Sequence, residues 1–167
     1  YRLPREILSL EVRMIERLGV TIETNRRLGR DCTLQGLRAQ GYEAVVLAVG
    51  APMGLHLGVP GEDLQGVDDA IRFLREYNIR GSAPVGRNVV VVGGGNAAID
   101  TARTAIRLGA QSVTVVYRRT RDEMPAYAEE IEEAEHEGVT IRVLTAPLEI
   151  VGEGGCACGL KCQTMAL

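Results

Sequence analysis

Residues 88–98 read Asn-Val-Val-Val-Val-Gly-Gly-Gly-Asn-Ala-Ala, and no other stretch constrains the fold of this chain as tightly. Four consecutive valines suit a strand of a parallel sheet buried on both faces. The glycines then turn the chain, and Gly95 to Leu108 repeats apolar residues at helical spacing until Gly109 stops it. Ser112 to Tyr117 predicts a second strand, Ala126 to Glu137 an acidic helix closed by Gly138, and Val139 to Leu144 a third strand. Alternation of strand and helix in this order predicts a Rossmann-like α/β fold with a parallel sheet.

The glycine loop has a chemical reading at each position. Gly93 permits the tight turn out of the strand, Gly95 lets the backbone approach a pyrophosphate, and Ala98 keeps the helix close to the sheet. The backbone N–H groups of Gly95, Asn96 and Ala97 stand at the positive end of the helix, where they suit phosphate oxygens. A bare glycine-rich turn needs none of the surrounding elements, whereas strand, loop, helix and second strand all agree here.

The end of the second strand selects the nucleotide. Sites for NAD place an acid there, on the ribose 2′-hydroxyl. This chain has Tyr117-Arg118-Arg119, with Arg121 close behind. Two guanidinium groups at that point suit a 2′-phosphate and so favour NADPH; read alone, the same residues make a solvated basic turn.

The segments around this unit are less distinctive. Pro4 opens a helix whose apolar residues run from Ile7 to Leu18, and Val20 to Thr24 reads as a short strand. Thr33 caps a short helix to Gln40, and Glu43 to Val49 reads as a buried strand ending at Gly50. Val67 to Tyr77 is an amphipathic helix with Ile71 and Leu74 inward, and residues 81–86 are a linker. Leu148 to Val151 and Leu160 to Leu167 form a hairpin around residues 152–159.

Composition excludes more than it selects. With 167 residues, 46% apolar and 25% charged, the chain is one ordinary domain or two pieces of a larger protein. A net charge of −3 points to neither nucleic acid nor an anionic membrane, and no apolar run reaches the roughly 20 residues of a membrane span. A start at Tyr1 without methionine and an apolar end suggest a fragment, and the α/β character suggests a reducing, cytoplasmic setting.

The wording of VVVVGGGNAAIDTARTAIRLGAQSVTVVYRRTRDEMPA resembles the small subunit family of NADPH-dependent glutamate synthase. Its relatives include the NADP/FAD region of dihydropyrimidine dehydrogenase and the large subunit of ferredoxin:NADP oxidoreductase. YRLPREIL, GYEAVVLAVGA, GVPGEDLQGV and GLKC are similar to the same family, so the resemblance spans nearly the whole chain. It implies two dinucleotide-binding domains, with an NADP domain inserted into an FAD domain. The expected division is a partial FAD domain at 1–56, a connection or hinge at 57–86 and an NADP domain, truncated at its C-terminus, at 87–167. The rest of the FAD domain would lie outside this chain. The resemblance also maps Arg2, Leu28, Ala48 and Gly50 to FAD contacts. Without it, Arg2 is a surface arginine, Leu28 a core leucine and Gly50 a turn glycine. It implies hydride passage between NADPH and FAD, with electrons moving on to iron–sulfur centres in another domain or a large subunit. The chemistry belongs to the cofactors, so no catalytic acid or base is assigned.

Other constellations carry less. Cys156, Cys158 and Cys162 give three potential ligands where zinc and iron–sulfur sites take four, so no metal site is assigned. Thioredoxin reductases share the two-domain plan, but their Cys-x-x-Cys has no counterpart in Tyr77 to Arg87. Asp100 in the first helical turn suits the helix dipole, and the glutamates from Glu129 to Glu137 read as a wet helix face. His56 and His136 are isolated. The functional alternatives are a non-catalytic NADP-binding or regulatory module, which flavin absorbance of the whole protein separates from an oxidoreductase, a thioredoxin-reductase-like flavoprotein, and a metal-binding scaffold on the late cysteines, which metal analysis decides.

Overall fold

The computed structural model describes residues 3–166, so Arg2 lies outside the described residues. The chain divides into two compact units, Tyr1–Gly50 and Ala51–Leu167.

The first unit holds two helices, α1 (Arg5–Arg17) and α2 (Leu34–Ala39). Thr33 caps α2 as expected: its hydroxyl accepts the Gly36 N–H at 3.0 Å. The strands expected at 20–24 and 43–49 do not form, and residues 43–49 are exposed instead of buried. Their β-branched composition is right for strands, but a strand is defined by a hydrogen-bonded neighbour, and none pairs with them among the described residues. Val46 is 87% exposed and Val49 76%. The amphipathic α1 likewise buries no side chain, so the described residues of this unit form no core of their own.

The second unit contains the core. It opens with α3 (Ala70–Arg80), capped by Asp69 and closed by Gly81 in the left-handed conformation. Phe73 is the buried residue of α3, with Ile71 and Leu74 half-buried beside it. Next come β1 (Asn88–Val92), α4 (Asn96–Arg107), β2 (Ser112–Val116), a single 3-10 turn (Arg121–Glu123), α5 (Ala128–His136) and β3 (Val139–Arg142). The three strands form a parallel sheet in the order β1-β2-β3, in which Val92 pairs with Val116 and Val116 with Arg142. Ile99, Ala102 and Ala105 of α4 pack with Val113, Val115 and Ala134 in a common core. Val90 is half-exposed, because β1 is the edge of this sheet and is not covered on both faces.

A hairpin completes the unit. β4 (Thr145–Glu153) pairs antiparallel with β5 (Cys156–Thr164), so the expected loop at 152–159 is mostly strand. Two residues suffice for the turn because Gly154 and Gly155 both have positive φ, which matches the twist of the flanking strands. Residues 60–65 are fastened to this hairpin. Ile150 donates to the Pro60 carbonyl at 2.9 Å, Gln65 donates to Gly155 at 3.1 Å and Ala157 donates to Gln65 at 2.8 Å.

One feature corrects the reading of α5 as a simple wet face. Arg103 on α4 is only 7% exposed and forms ion pairs with Glu130, Glu133 and Glu137. Arg107 adds a second bond to Glu137 at 2.6 Å. The cationic partners hold the Glu137 carboxyl at about 2, against an ordinary 4.5, although desolvation opposes them. Its folded-state value is depressed, so the stabilisation is complete above the ordinary carboxylate range and is lost as pH falls through about 2. Arg103→Ala leaves partly buried carboxylates without their cation and is expected to cost about 3 kcal/mol at neutral pH. Urea unfolding down the acid limb checks the linkage: the wild type loses stability there, and Glu137→Gln loses less.

Candidate functional site

The parallel register brings the two expected halves of the site together. Since Val92 pairs with Val116, the chain leaves β1 into Gly93 and leaves β2 into Tyr117 at the same edge, one strand spacing apart. Gly93 has φ +140 and its N–H donates to Val116 at 3.0 Å. A Cβ on Gly93 would stand 3.4 Å from that of Ala98, which shows how closely α4 approaches the turn. The Gly95 carbonyl accepts from Ala98 at 2.9 Å and from Ile99 at 3.2 Å, so it begins the helix. The N–H groups of Gly95, Asn96 and Ala97 precede the first intrahelical bond and lie at the helix's positive end. A Cβ on Gly95 would meet no atom within 4 Å, so open space lies where a pyrophosphate would approach.

Gly94 differs from both neighbours. A Cβ there would come within 2.7 Å of the Tyr117 ring. Tyr117 is a site residue to which the sequence assigns no role beyond ending a strand and opening the Tyr-Arg-Arg run. Its ring lies against Gly94, and its hydroxyl donates to the Glu123 carbonyl at 2.8 Å. The run of three glycines, one more than the turn and the phosphate approach require, was the available signal.

The residues after Tyr117 make a strap that returns to the glycine loop. Arg118 and Arg119 are exposed at its start, and the Arg119 carbonyl accepts from Leu144 at 2.9 Å. Thr120 and Glu123 form a reciprocal capping box around the 3-10 turn. The Thr120 N–H and hydroxyl, with Arg119 nearby, hold the Glu123 carboxyl below its ordinary range. Arg121 is spoken for: its two terminal nitrogens donate to Glu135 at 2.8 and 2.6 Å, so the guanidinium faces α5. At the far end Ala126 donates to the Gly94 carbonyl at 3.0 Å, and Tyr127 donates to the Asn96 side-chain oxygen at 3.1 Å.

The remaining expected residues belong to the first unit. Leu28 is exposed, not core, and sits in a compact turn where it bridges Cys32 and Asp31 accepts the Arg27 N–H at 2.9 Å. Ala48 and Gly50 are exposed, with Gly50 at φ +68, in a segment that forms no strand. Cys156 and Cys158 are exposed on β5, where the Cys156 thiol lies 3.5 Å from the Gln65 side-chain oxygen. No group of three or more His, Cys, Asp or Glu among the described residues is placed to hold a metal ion. No helix among them is long and apolar enough to cross a membrane.

A glycine loop opening a helix, beside a strand that ends in two exposed arginines, defines a dinucleotide-binding protein of the Rossmann type. The chain belongs to the family described as pyridine nucleotide-disulphide oxidoreductase, whose sequence profile matches residues 6–165. It is 45% identical over its whole length to the beta subunit of an NADP(+)-dependent formate dehydrogenase from Moorella thermoacetica, covering 24% of that protein. It is 41% identical, again over its whole length, to the beta subunit of an NADPH-Fe(3+) oxidoreductase from Geobacter sulfurreducens, covering 25%. It is 36% identical over 91% of its length to subunit PreT of an NAD-dependent dihydropyrimidine dehydrogenase from Escherichia coli O157:H7, covering 36%. The first two show that the chain spans about a quarter of their length. Among solved structures, FprA, an oxidoreductase of Mycobacterium tuberculosis, superposes with a TM-score of 0.69 at 22% identity. That match covers 89% of this chain and 49% of FprA, and it shows a shared fold. The resemblance to the small subunit family of glutamate synthase is matched by 35% identity over the whole chain to a putative glutamate synthase [NADPH] small chain from Cereibacter sphaeroides, covering 42% of that protein.

The two neighbouring glycines give opposite expectations for stability. Gly94→Ala drives a methyl into the Tyr117 ring and is expected to destabilise by about 1–3 kcal/mol. Gly95→Ala places the same methyl in open space and is expected to change stability by less than about 1 kcal/mol. Chemical denaturation of both variants checks the contrast, and equal losses would contradict the Tyr117 packing.

Proposed function

We propose that this chain is the pyridine-nucleotide-binding part of an FAD-dependent oxidoreductase that passes hydride between NADPH and FAD. The single observation that carries this reading is the shared edge, where the open face of Gly95 and the exposed pair Arg118-Arg119 stand one strand apart. An NADPH molecule spans such a distance with its pyrophosphate on the loop and its 2′-phosphate on the arginines. The N–H groups of Gly95, Asn96 and Ala97 would bind the pyrophosphate, and Ala98 would keep the helix close behind them. Arg118 and Arg119 would bind the 2′-phosphate. Arg121, held by Glu135, supports the strap more directly than it supports the ligand. When bound, the nicotinamide supplies the hydride chemistry, and this chain's part is to position it and to shield it.

In this proposal the division is a partial FAD domain at 1–56, a connection at 57–86 and the NADP domain at 87–167. Arg2, Leu28, Ala48 and Gly50 are then the FAD-side contacts. The exposed apolar side chains of α1 and of residues 45–49 support an incomplete domain, because surfaces of that composition are normally covered. The remainder of the FAD domain would cover them, and electrons would pass onward to iron–sulfur centres in a partner domain or large subunit. The formate dehydrogenase and Fe(3+) oxidoreductase relatives are beta subunits, which agrees with such a partner. Relatives named for NADP and for NAD both occur, so the nucleotide preference rests on Arg118 and Arg119 and not on kinship.

Two substitutions test the reading through nucleotide affinity. Arg118→Ala removes a charge-assisted contact and is expected to weaken NADPH by about 1.5–3 kcal/mol while changing NADH little. Gly95→Val fills the pyrophosphate space with a branched side chain and is expected to abolish binding of both nucleotides in a folded protein. An equal effect of Arg118→Ala on the two nucleotides overturns the 2′-phosphate assignment, and retained binding in Gly95→Val overturns the loop assignment.

A further inference from the structure

We infer that Asn96 is a specificity-determining positioning residue, which acts through its side-chain bond to the Tyr127 backbone and not through the nucleotide. The inference rests on the NADPH reading above and extends it to the Asn96 side-chain oxygen, which is bonded to the Tyr127 N–H.

The strap from Tyr117 to Tyr127 is held at both ends. At its start, Tyr117 donates to the Arg142 carbonyl at 2.9 Å and Arg119 accepts from Leu144 at 2.9 Å, so the backbone on either side of Arg118 is tied to β3 and the residues after it. Its middle is braced by the Tyr117 hydroxyl on the Glu123 carbonyl. Its far end is closed on the glycine loop by Ala126 to Gly94, a backbone pair, and by Tyr127 to Asn96 at 3.1 Å. Only the second of these depends on a side chain. Asn96 therefore has two duties that its position separates. Its backbone N–H belongs to the open cradle at the helix start, while its side-chain oxygen accepts a bond from the strap that carries the arginines.

The physical consequence concerns spacing. A nucleotide with a 2′-phosphate engages the loop and the arginines at once, so its affinity depends on the distance between them being fixed beforehand. A nucleotide without that phosphate engages the loop alone and is indifferent to the strap. Losing the latch leaves the far end of the strap held by the Ala126–Gly94 backbone bond and the buried Met124 and Ala126, so the strap seats less firmly on the glycine loop against which the Tyr117 ring lies. The arginines begin one residue beyond that ring. The expected signature is a loss of NADPH affinity with NADH left nearly unchanged.

The backbone supplies an independent way to cut the same bond. Tyr127 has φ −61, a value proline adopts, so Tyr127→Pro removes the donor without touching Asn96. Tyr127→Ala keeps the donor and removes only the exposed ring. The experiment measures dissociation constants for NADPH and NADH on the whole natural protein carrying Asn96→Ala, Tyr127→Pro, both together, Tyr127→Ala and Arg118→Ala. The expected result is a fall in NADPH affinity of about fivefold or more for Asn96→Ala and for Tyr127→Pro, with NADH changing less than about twofold in Tyr127→Pro. The double variant is expected to be no worse than either single one, since both remove one bond. Tyr127→Ala is expected to keep the wild-type ratio between the nucleotides. Equal losses for NADPH and NADH in Tyr127→Pro, or additive losses in the double variant, overturn the inference. Arg118→Ala distinguishes its failure from that of the parent reading: selectivity lost there but kept in Asn96→Ala and Tyr127→Pro removes only the role of Asn96. Selectivity unchanged by Arg118→Ala removes the NADPH reading itself.

Discussion

The close seat of α4 on the sheet is the constraint on which the site depends. Ala98, Ala102 and Ala105 present small side chains inward, and all three are buried. With bulkier residues the helix axis would stand farther from β1 and β2. Its first turn would then no longer lie flush with the strand ends, and the N–H groups of Gly95 to Ala97 would point past the edge where Arg118 and Arg119 emerge. Packing volume deep in the core thus sets the geometry of an exposed loop, and the contact between Gly93 and Ala98 is where the two meet.

Much of the second unit was legible because its signals are local. Four valines, three glycines and an apolar helical run each require only near neighbours to take shape, and they combine into β1, the loop and α4. The positions of Arg118 and Arg119 followed from the same register. What escaped notice depends on partners distant in sequence. The lining of Gly94 by Tyr117, the bond from Tyr127 to Asn96 and the clamp of Arg103 on Glu130 and Glu137 join residues 23 to 34 apart, and no periodicity announces them. The hairpin is legible, but its turn reads too wide because six of the eight residues from 152 to 159 are Gly, Glu or Ala, types depleted in strands.

The first unit shows the opposite case. Val20 to Thr24 and Glu43 to Val49 have strand composition, yet neither forms a strand. β-propensity measures how well a side chain fits a pleated, half-buried surface, and it acts only when neighbouring strands supply that surface. Helices close their own hydrogen bonds, so α1 and α2 form in the same unit without such help. Leu28 makes the point for a single residue: taken by itself it reads as core, and it is exposed on a turn organised by Asp31.

The fastening of residues 60–65 onto the β4–β5 hairpin bears on how the second unit comes apart. Gln65 and Cys156 are 91 residues apart, and everything between them, including the parallel sheet, lies inside the ring that their contact closes. In most domains the two ends fray independently, each at its own low cost. Here residues 60–65 and the middle and turn of the β4–β5 hairpin share one seam. Gly61 approaches Ile150 so closely that a Cβ would stand 2.2 Å from its carbonyl oxygen. Loosening residues 60–65 therefore also breaks bonds that hold the hairpin, so the two segments are tied to one another across the length of the sheet between them.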